Sequence, residues 1–239
     1  MCLHVYASGS TRYFVLLRRQ QSKGLEYLGR GMATIRTMRI LLLGCGRWGR
    51  NILRDLHGLG LEVSVADPDP TARTYARSVG ALQVAGDPDE LPDCEGVVIA
   101  TPTATHAQVI QRALSRQVPV FVEKPMTSDA GEARRLAEHA DGKLFVMDKW
   151  RYHPGVEELG RIHETCELGK PLGMHLYHGG WGHPHADVDV SWVLLSHCLS
   201  IFLEIFGVLP DTIHGFAERL EWEDRGASRR ARNRTLGDC

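Results

Sequence analysis

The chain has no Cys-x-x-Cys pair. Its six cysteines, at 2, 45, 94, 166, 198 and 239, follow no regular spacing, which argues against a zinc ribbon or a disulfide framework and points to a reducing, cytoplasmic setting. Net charge is almost absent: 28 Lys and Arg against 29 Asp and Glu leave -1, so no global field recruits nucleic acid or an anionic membrane. Long apolar runs are missing too. Residues 14–17 are too short for a secretory core, and residues 191–206, the most apolar stretch, are too short and too interrupted by Ser, His and Glu to span a bilayer. No glycine loop ends in the Gly-Lys-Ser/Thr of a P-loop. A methyltransferase more often shows an acid just before its first loop glycine, and here that residue is Leu43. The 239 residues leave room for one or two domains with a real core.

What is present is concentrated in residues 38–59, MRILLLGCGRWGRNILRDLHGL. An apolar run over 40–43 reads as a buried parallel strand and stops at Gly44-Cys45-Gly46-Arg47-Trp48-Gly49, a G-x-G-x-x-G turn. Apolar residues then recur at Trp48, Ile52, Leu53, Leu56 and Leu59, which is helical spacing. Gly44 suits a tight turn, Gly46 a close approach to a pyrophosphate, and Gly49 a close contact between helix and strand. The helix amides and dipole would hold the phosphate charge. A second strand over 61–66 delivers Asp67, where one carboxylate can accept from both hydroxyls of an adenosine ribose. That favours NAD, with NADP left open because Arg73 is close by. The competing reading is a glycine turn that binds another nucleotide or nothing.

Six short β-type runs, at 40–43, 61–66, 82–85, 97–100, 118–122 and 144–147, alternate with helix-period stretches such as 129–140, which opens Asp-x-x-Glu. This predicts an α/β fold, a Rossmann-type doubly wound parallel sheet over 38–150, with ligands beyond the carboxyl ends of the strands. Two ends stand out. The fourth run passes into Thr101-Pro102-Thr103 with His106 beyond, and the fifth into Glu123-Lys124-Pro125. Lys124 at a buried strand end suits proton transfer or hydrogen bonding to substrate, and equally a plain ion pair with Glu123.

These residues resemble the Gfo/Idh/MocA oxidoreductases, the family of glucose-fructose oxidoreductase and inositol dehydrogenase. The resemblance rests on GCGRWG, ADPDP, ATPTATHAQV and VFVEKPMT after the first, second, fourth and fifth strands, and covers residues 38–210. It implies hydride transfer between NAD(P) and a carbinol carbon of a sugar, cyclitol or related polyol. It also implies that Lys124 contacts substrate and nicotinamide, and that Gly44, Gly46, Arg47, Trp48, Gly49, Asp67, Thr101, Pro102, His106, Glu123 and Lys124 surround the cofactor. His106 reads better as structural or cofactor-proximal than as the base.

Residues 151–218 are expected to form a partial α+β substrate domain with an open, mostly antiparallel sheet, which the resemblance implies often pairs subunits into a homo-oligomer. A helix carrying Val156, Leu159, Ile162 and Cys166 on one face precedes an expected strand over 174–177. His175, His178, His183 and His185, with Asp187 and Asp189, read as a polar substrate loop rather than a metal site, with Trp181 as a platform for a sugar face. Residues 191–206 read as a buried helix with a polar stripe at Ser196, Ser200 and Glu204. In the family a histidine on that helix serves in proton transfer, which implies the role for His197. The aspartates expected four residues before and one after it are here Val193 and Cys198, so a core-packed histidine, and a cofactor-binding protein without turnover, stay as alternatives. Residues 1–37, with six Lys/Arg against one acid, read as a disordered extension before a folded start at Met38, or as an organelle-targeting peptide. Residues 219–239, with Arg225, Arg229, Arg230, Arg232 and Arg234, read as a disordered basic tail.

Overall fold

The computed structural model of the chain describes residues 37–176, 191–209, 212, 219–225 and 228–234. Residues 1–36 of the expected extension, Tyr177 of the expected strand, His178, Trp181, His183, His185, Asp187 and Asp189 of the expected substrate loop, and the last residues of the tail lie outside them.

Six parallel strands form one sheet in the order β3-β2-β1-β4-β5-β6: β1 (Arg39–Leu43), β2 (Glu62–Ala66), β3 (Val84–Ala85), β4 (Gly96–Ile99), β5 (Val120–Val122) and β6 (Leu144–Val146). Side-chain alternation along β1 sorts the core into two layers. Ile40 and Leu42 join Ile52, Leu53 and Leu56 of α1 (Gly49–Gly58) and Ala72 and Ala76 of α2 (Pro70–Ser78). Leu41 and Leu43 point the other way, to Ile110 and Ala113 of α3 (His106–Leu114) and Leu136 of α4 (Ala130–His139). Each fully buried Val, Leu or Ile stabilises by about 1.5–3 kcal/mol, so β1, buried on both faces, anchors the sheet.

The cap of α4 forms as its sequence predicts, with Asp129 Oδ1 accepting from Glu132 N at 2.6 Å. The third strand is shorter than its apolar run. Leu82 is half exposed at the sheet edge; its N–H donates to the Val63 carbonyl at 2.7 Å and the Gln83 carbonyl accepts from Val65 N at 2.9 Å, but the strand itself is only Val84 and Ala85.

After β6, residues 149–152 make a 3-10 turn, α5 (Pro154–Glu164) follows, and a π-helical turn, Ser191–Leu195, leads into α6 (Ser196–Phe206). Gly207, at φ +69, ends that helix. The strand expected over 174–177 is a correction: Met174, His175 and Leu176 pair with nothing among the described residues, and no strand occurs in the described parts of 151–209. Pro171 and Gly173 immediately before this run weaken strand formation at its start.

Residues 208–239 form a separate unit. Where a disordered basic tail was expected, β7 (Arg219–Arg225) and β8 (Ser228–Arg234) pair as an antiparallel hairpin. The register sets Glu221 opposite Arg232, Glu223 opposite Arg230 and Asp224 opposite Arg229. Reading the arginines without the acids a few residues before them hides this alternation of opposite charges in the sequence.

Candidate active site

The loop between β1 and α1 is built by steric exclusion. Gly44 sits at φ +89, and a Cβ there would lie 2.7 Å from the Ala100 carbonyl oxygen; at Gly49 a Cβ would lie 2.1 Å from the Gly44 oxygen. Gly46 differs: it is exposed, and a Cβ there would meet nothing within 4 Å. The first two glycines therefore serve packing, while the third leaves bare backbone facing open space, the cradle that a pyrophosphate needs. No side chain caps α1; Arg50 N and Asn51 N donate to the Gly46 and Trp48 carbonyls at 3.0 and 2.9 Å, which leaves the loop amides ahead of them as the ones an anion would meet.

Asp67, at the end of β2, is buried at 8% exposure. One carboxylate oxygen accepts from Cys45 N at 2.6 Å and the other from Asp69 N at 2.8 Å, so this group braces the glycine loop. Each oxygen keeps a further lone pair for a hydroxyl. Arg73 donates to the carbonyls of Asp67 and Pro68 at 2.8 and 2.7 Å, which ties its guanidinium to the backbone of this turn.

At the end of β4, Thr101 and Thr105 hydroxyls bond at 2.9 Å. His106 is almost fully buried and spans the carbonyls of Thr101 at 2.9 Å and Pro125 at 2.8 Å, so it bridges the loops after β4 and β5. The Lys124–Pro125 peptide is cis.

The glycine loop meets the end of β5 through Trp48, whose Nε1 donates to Glu123 Oε1. The other Glu123 oxygen accepts from Lys124 N at 3.1 Å. Burial pushes the Glu123 carboxyl above the usual range, against the hydrogen bonds from Trp48 and the Lys124 amide and the charges of Lys124 and Lys149. Lys149 Nζ lies 5.7 Å from the Trp48 ring centroid and 5.8 Å from that of Trp150. Lys124 makes no ion pair with Glu123; its Nζ donates to the Val193 carbonyl at 3.4 Å. Burial holds the Lys124 ammonium below its ordinary pKa, opposed first by Glu123.

Val193 stands one turn before His197, so the same contact draws α6 over the end of β5. His197 is buried, edge-on to Trp150 with centroids 6.4 Å apart. Gly44, Gly46, Trp48, Asp67, Thr101, Glu123 and Lys124 thus lie along the carboxyl edge of the sheet, with Arg47 and Pro102 exposed in its loops and His197 above the β5–β6 end. Sequence reasoning passed over Asp148, Lys149 and Trp150 in this neighbourhood, and placed Ser200 only on a polar helix stripe. The rule that ligands gather past strand ends would have found the first three, had it been applied to the sixth run as it was to the fourth and fifth.

A parallel sheet in the order 3-2-1-4-5-6, a glycine loop on its first crossover and an acid closing its second strand define a dinucleotide-binding Rossmann domain. Residues 38–147 match the family model of the Gfo/Idh/MocA oxidoreductases, described as an NAD-binding Rossmann fold, and this domain belongs to that family. The chain is 37% identical over 155 residues to inositol 2-dehydrogenase 4 of Saccharopolyspora erythraea, covering 60% of this chain and 46% of that protein. It is 29% identical over 178 residues to scyllo-inositol 2-dehydrogenase (NAD(+)) of Bacillus subtilis, covering 70% and 50%. Among solved structures, a myo-inositol dehydrogenase from Corynebacterium glutamicum superimposes with a TM-score of 0.52 at 30% identity, covering 56% of this chain and 43% of that one. GenD2 from gentamicin A biosynthesis, in complex with NAD, does so with 0.51 at 26%, covering 59% and 42%. The chain spans about half the length of the curated relatives it matches. No helix among the described residues is long and apolar enough to cross a membrane.

Proposed function

We propose that the chain is an NAD-dependent oxidoreductase acting on the CH–OH group of a polyol, with cyclitols of the inositol type as the substrate class. The observation that carries this reading is the position of Lys124: past the end of β5, beside the glycine loop through Trp48 and Glu123, with its ammonium held below its ordinary pKa. The names of the relatives support the substrate class.

Gly46 and the first turn of α1 would hold the pyrophosphate, Asp67 the adenosine ribose, and Thr101 with Glu123 the approach to the nicotinamide. Arg73, committed to two carbonyls beside a buried carboxylate, favours NAD over NADP. Bound NAD supplies the acceptor for the carbinol hydrogen and its electron pair. Lys124 Nζ takes the hydroxyl proton, because a lysine with a lowered pKa is unprotonated more often at neutral pH. His197, across from it on α6, orients the same hydroxyl.

The test is Lys124→Met in the full chain, with NAD binding followed by calorimetry and turnover by nicotinamide absorbance across inositols and sugars. NAD should bind nearly as before while turnover falls at least about a hundredfold. An unchanged rate would overturn the assignment of Lys124. Wild-type protein that binds NAD and turns over no polyol would instead favour the reading of a binding protein without turnover.

A further inference from the structure

The ends of β5 and β6 bring two opposite charges within electrostatic range of each other, short of a direct ion pair. The register pairs Val122 with Val146, so Lys124 and Asp148 each stand two residues past the last paired position on adjacent parallel strands, which run about 4.8 Å apart. Asp148 has no role in the reading above. Its Oδ1 is buried and accepts no hydrogen bond among the described residues, a costly arrangement for a carboxylate unless a charged or reacting group completes it.

Among the described residues, three elements present groups to Asp148. Lys124 faces it from β5; Arg151 and Tyr152 face it from the turn after β6, and Ser200 from α6. Burial raises the Asp148 carboxyl above the usual range, against Arg151, the Ser200 hydroxyl and Lys124. Arg151 is already committed to Glu204 at 2.9 Å, and the Ser200 hydroxyl donates to the His197 carbonyl at 2.9 Å. Lys124, whose other charged neighbours are Glu123 and Lys149, is therefore the cation least occupied elsewhere. Val193, His197 and Ser200 recur at helical spacing, so the stretch of helix that receives Lys124 Nζ at the Val193 carbonyl also brings His197 and Ser200 to the Asp148 side.

We propose that Asp148 is the carboxylate partner of Lys124, a positioning residue that aims Nζ at the α6 face carrying His197 and sets how readily Nζ holds the substrate's hydroxyl proton. This rests on the dehydrogenase reading for its purpose, though not for its geometry. In the oxidising direction the O–H bond breaks, its proton joins the Nζ lone pair, and the resulting ammonium lies against the Asp148 carboxylate. In the reducing direction the same proton returns to the carbonyl oxygen. Asp148 exchanges nothing; it favours the charged form of its neighbour.

Competitive acetylation of the full chain across pH, with peptide mass spectrometry reporting Lys124 and exposed Lys170 as the internal reference, tests this without cofactor or substrate. Asp148→Asn removes the anion that favours ammonium. Lys124 should then titrate at lower pH, and below the wild-type midpoint react about threefold faster or more, the change expected for half a pKa unit. Asp148→Glu should restore most of the wild-type midpoint. Identical midpoints in wild type and folded Asp148→Asn would overturn the pairing, and Asp148→Ser serves the same comparison should the asparagine variant fail to fold. A shifted midpoint in a protein with no polyol turnover would keep the pair and overturn the dehydrogenase reading; turnover with an unshifted midpoint would do the reverse.

Discussion

The glycine loop and the α5–α6 pair both bring backbone close to backbone, and they do so with opposite tolerance. At Gly49 an added Cβ would meet main chain at 2.1 Å, between β1 and α1, where Leu42 and Leu53 are fully buried. At Gly160, where α5 crosses α6, an added Cβ would lie 3.2 Å from the Glu204 carbonyl oxygen, and the surrounding helices leave Leu159 51% and Leu195 43% exposed. Main-chain contact in a sealed layer cannot give way, whereas two helices with open flanks can slide by a few tenths of an ångström. The glycine-loop side of the site is therefore fixed by shape, and the α6 side by charge on a more yielding support.

The sharpest test of that difference is a pair of substitutions. Gly49→Ala should destabilise by about 3 kcal/mol or more, or abolish folding, because no rotamer change relieves a backbone overlap. Gly160→Ala should stay within about 1 kcal/mol of wild type, since the gain in helix propensity offsets a tight but movable contact. Urea unfolding followed by circular dichroism measures both, and equal losses would erase the distinction.

Asp67→Ala comes next in size. It removes two backbone hydrogen bonds to a charged group together with the proposed ribose contact, so NAD affinity should fall about tenfold or more while the fold survives, each such bond being worth about 1.5–3 kcal/mol. Calorimetric titration with NAD reads the result, and equal curves for variant and wild type would remove Asp67 from the cofactor site.

The smallest expected effect probes the charge side. The Glu123 carboxyl is raised in the folded chain, so across the window from the ordinary carboxylate range up to its folded pKa the folded state holds more protons than the unfolded state. Stability from this group is then full below the ordinary range and is lost as pH rises through the window. Glu123→Gln should therefore raise Tm by a few degrees at neutral pH and leave it unchanged near pH 4, read as the difference between variant and wild type in thermal scans. A loss of Tm at neutral pH would show that the Trp48 and Lys124 amide bonds outweigh the burial of charge.

Much of the sheet was legible because parallel strands buried on both faces write themselves as unbroken apolar runs, and the Asp129 cap because its signal is local. The loop from Gly44 to Gly49 and the Asp67 position were legible for the same reason: their spacing carries their chemistry. The brace from Asp67 to Cys45 was not, since it joins positions on separate strands and leaves no periodic trace. The link from Trp48 to Glu123 and the pairing of Lys124 with Asp148 share that property. At residues 219–234 the error was different. The arginines were counted as one sign of charge, and the alternation of Leu220 and Trp222 against flanking acids went unweighed.

The strand order carries a consequence for the birth of the molecule on the ribosome. Of the six strands of this sheet β1 is translated first, yet one of its edges has no partner until β4 arrives, Ile40 pairing with Gly96. At about 5–20 residues per second that edge stays open for several seconds in the nascent chain, long enough to recruit a chaperone or a wrong neighbour. Gly44 packs on Ala100, the residue that follows β4, so the loop also waits. A nascent chain halted before residue 100 should consequently carry every glycine of the loop and still have no seat for a dinucleotide.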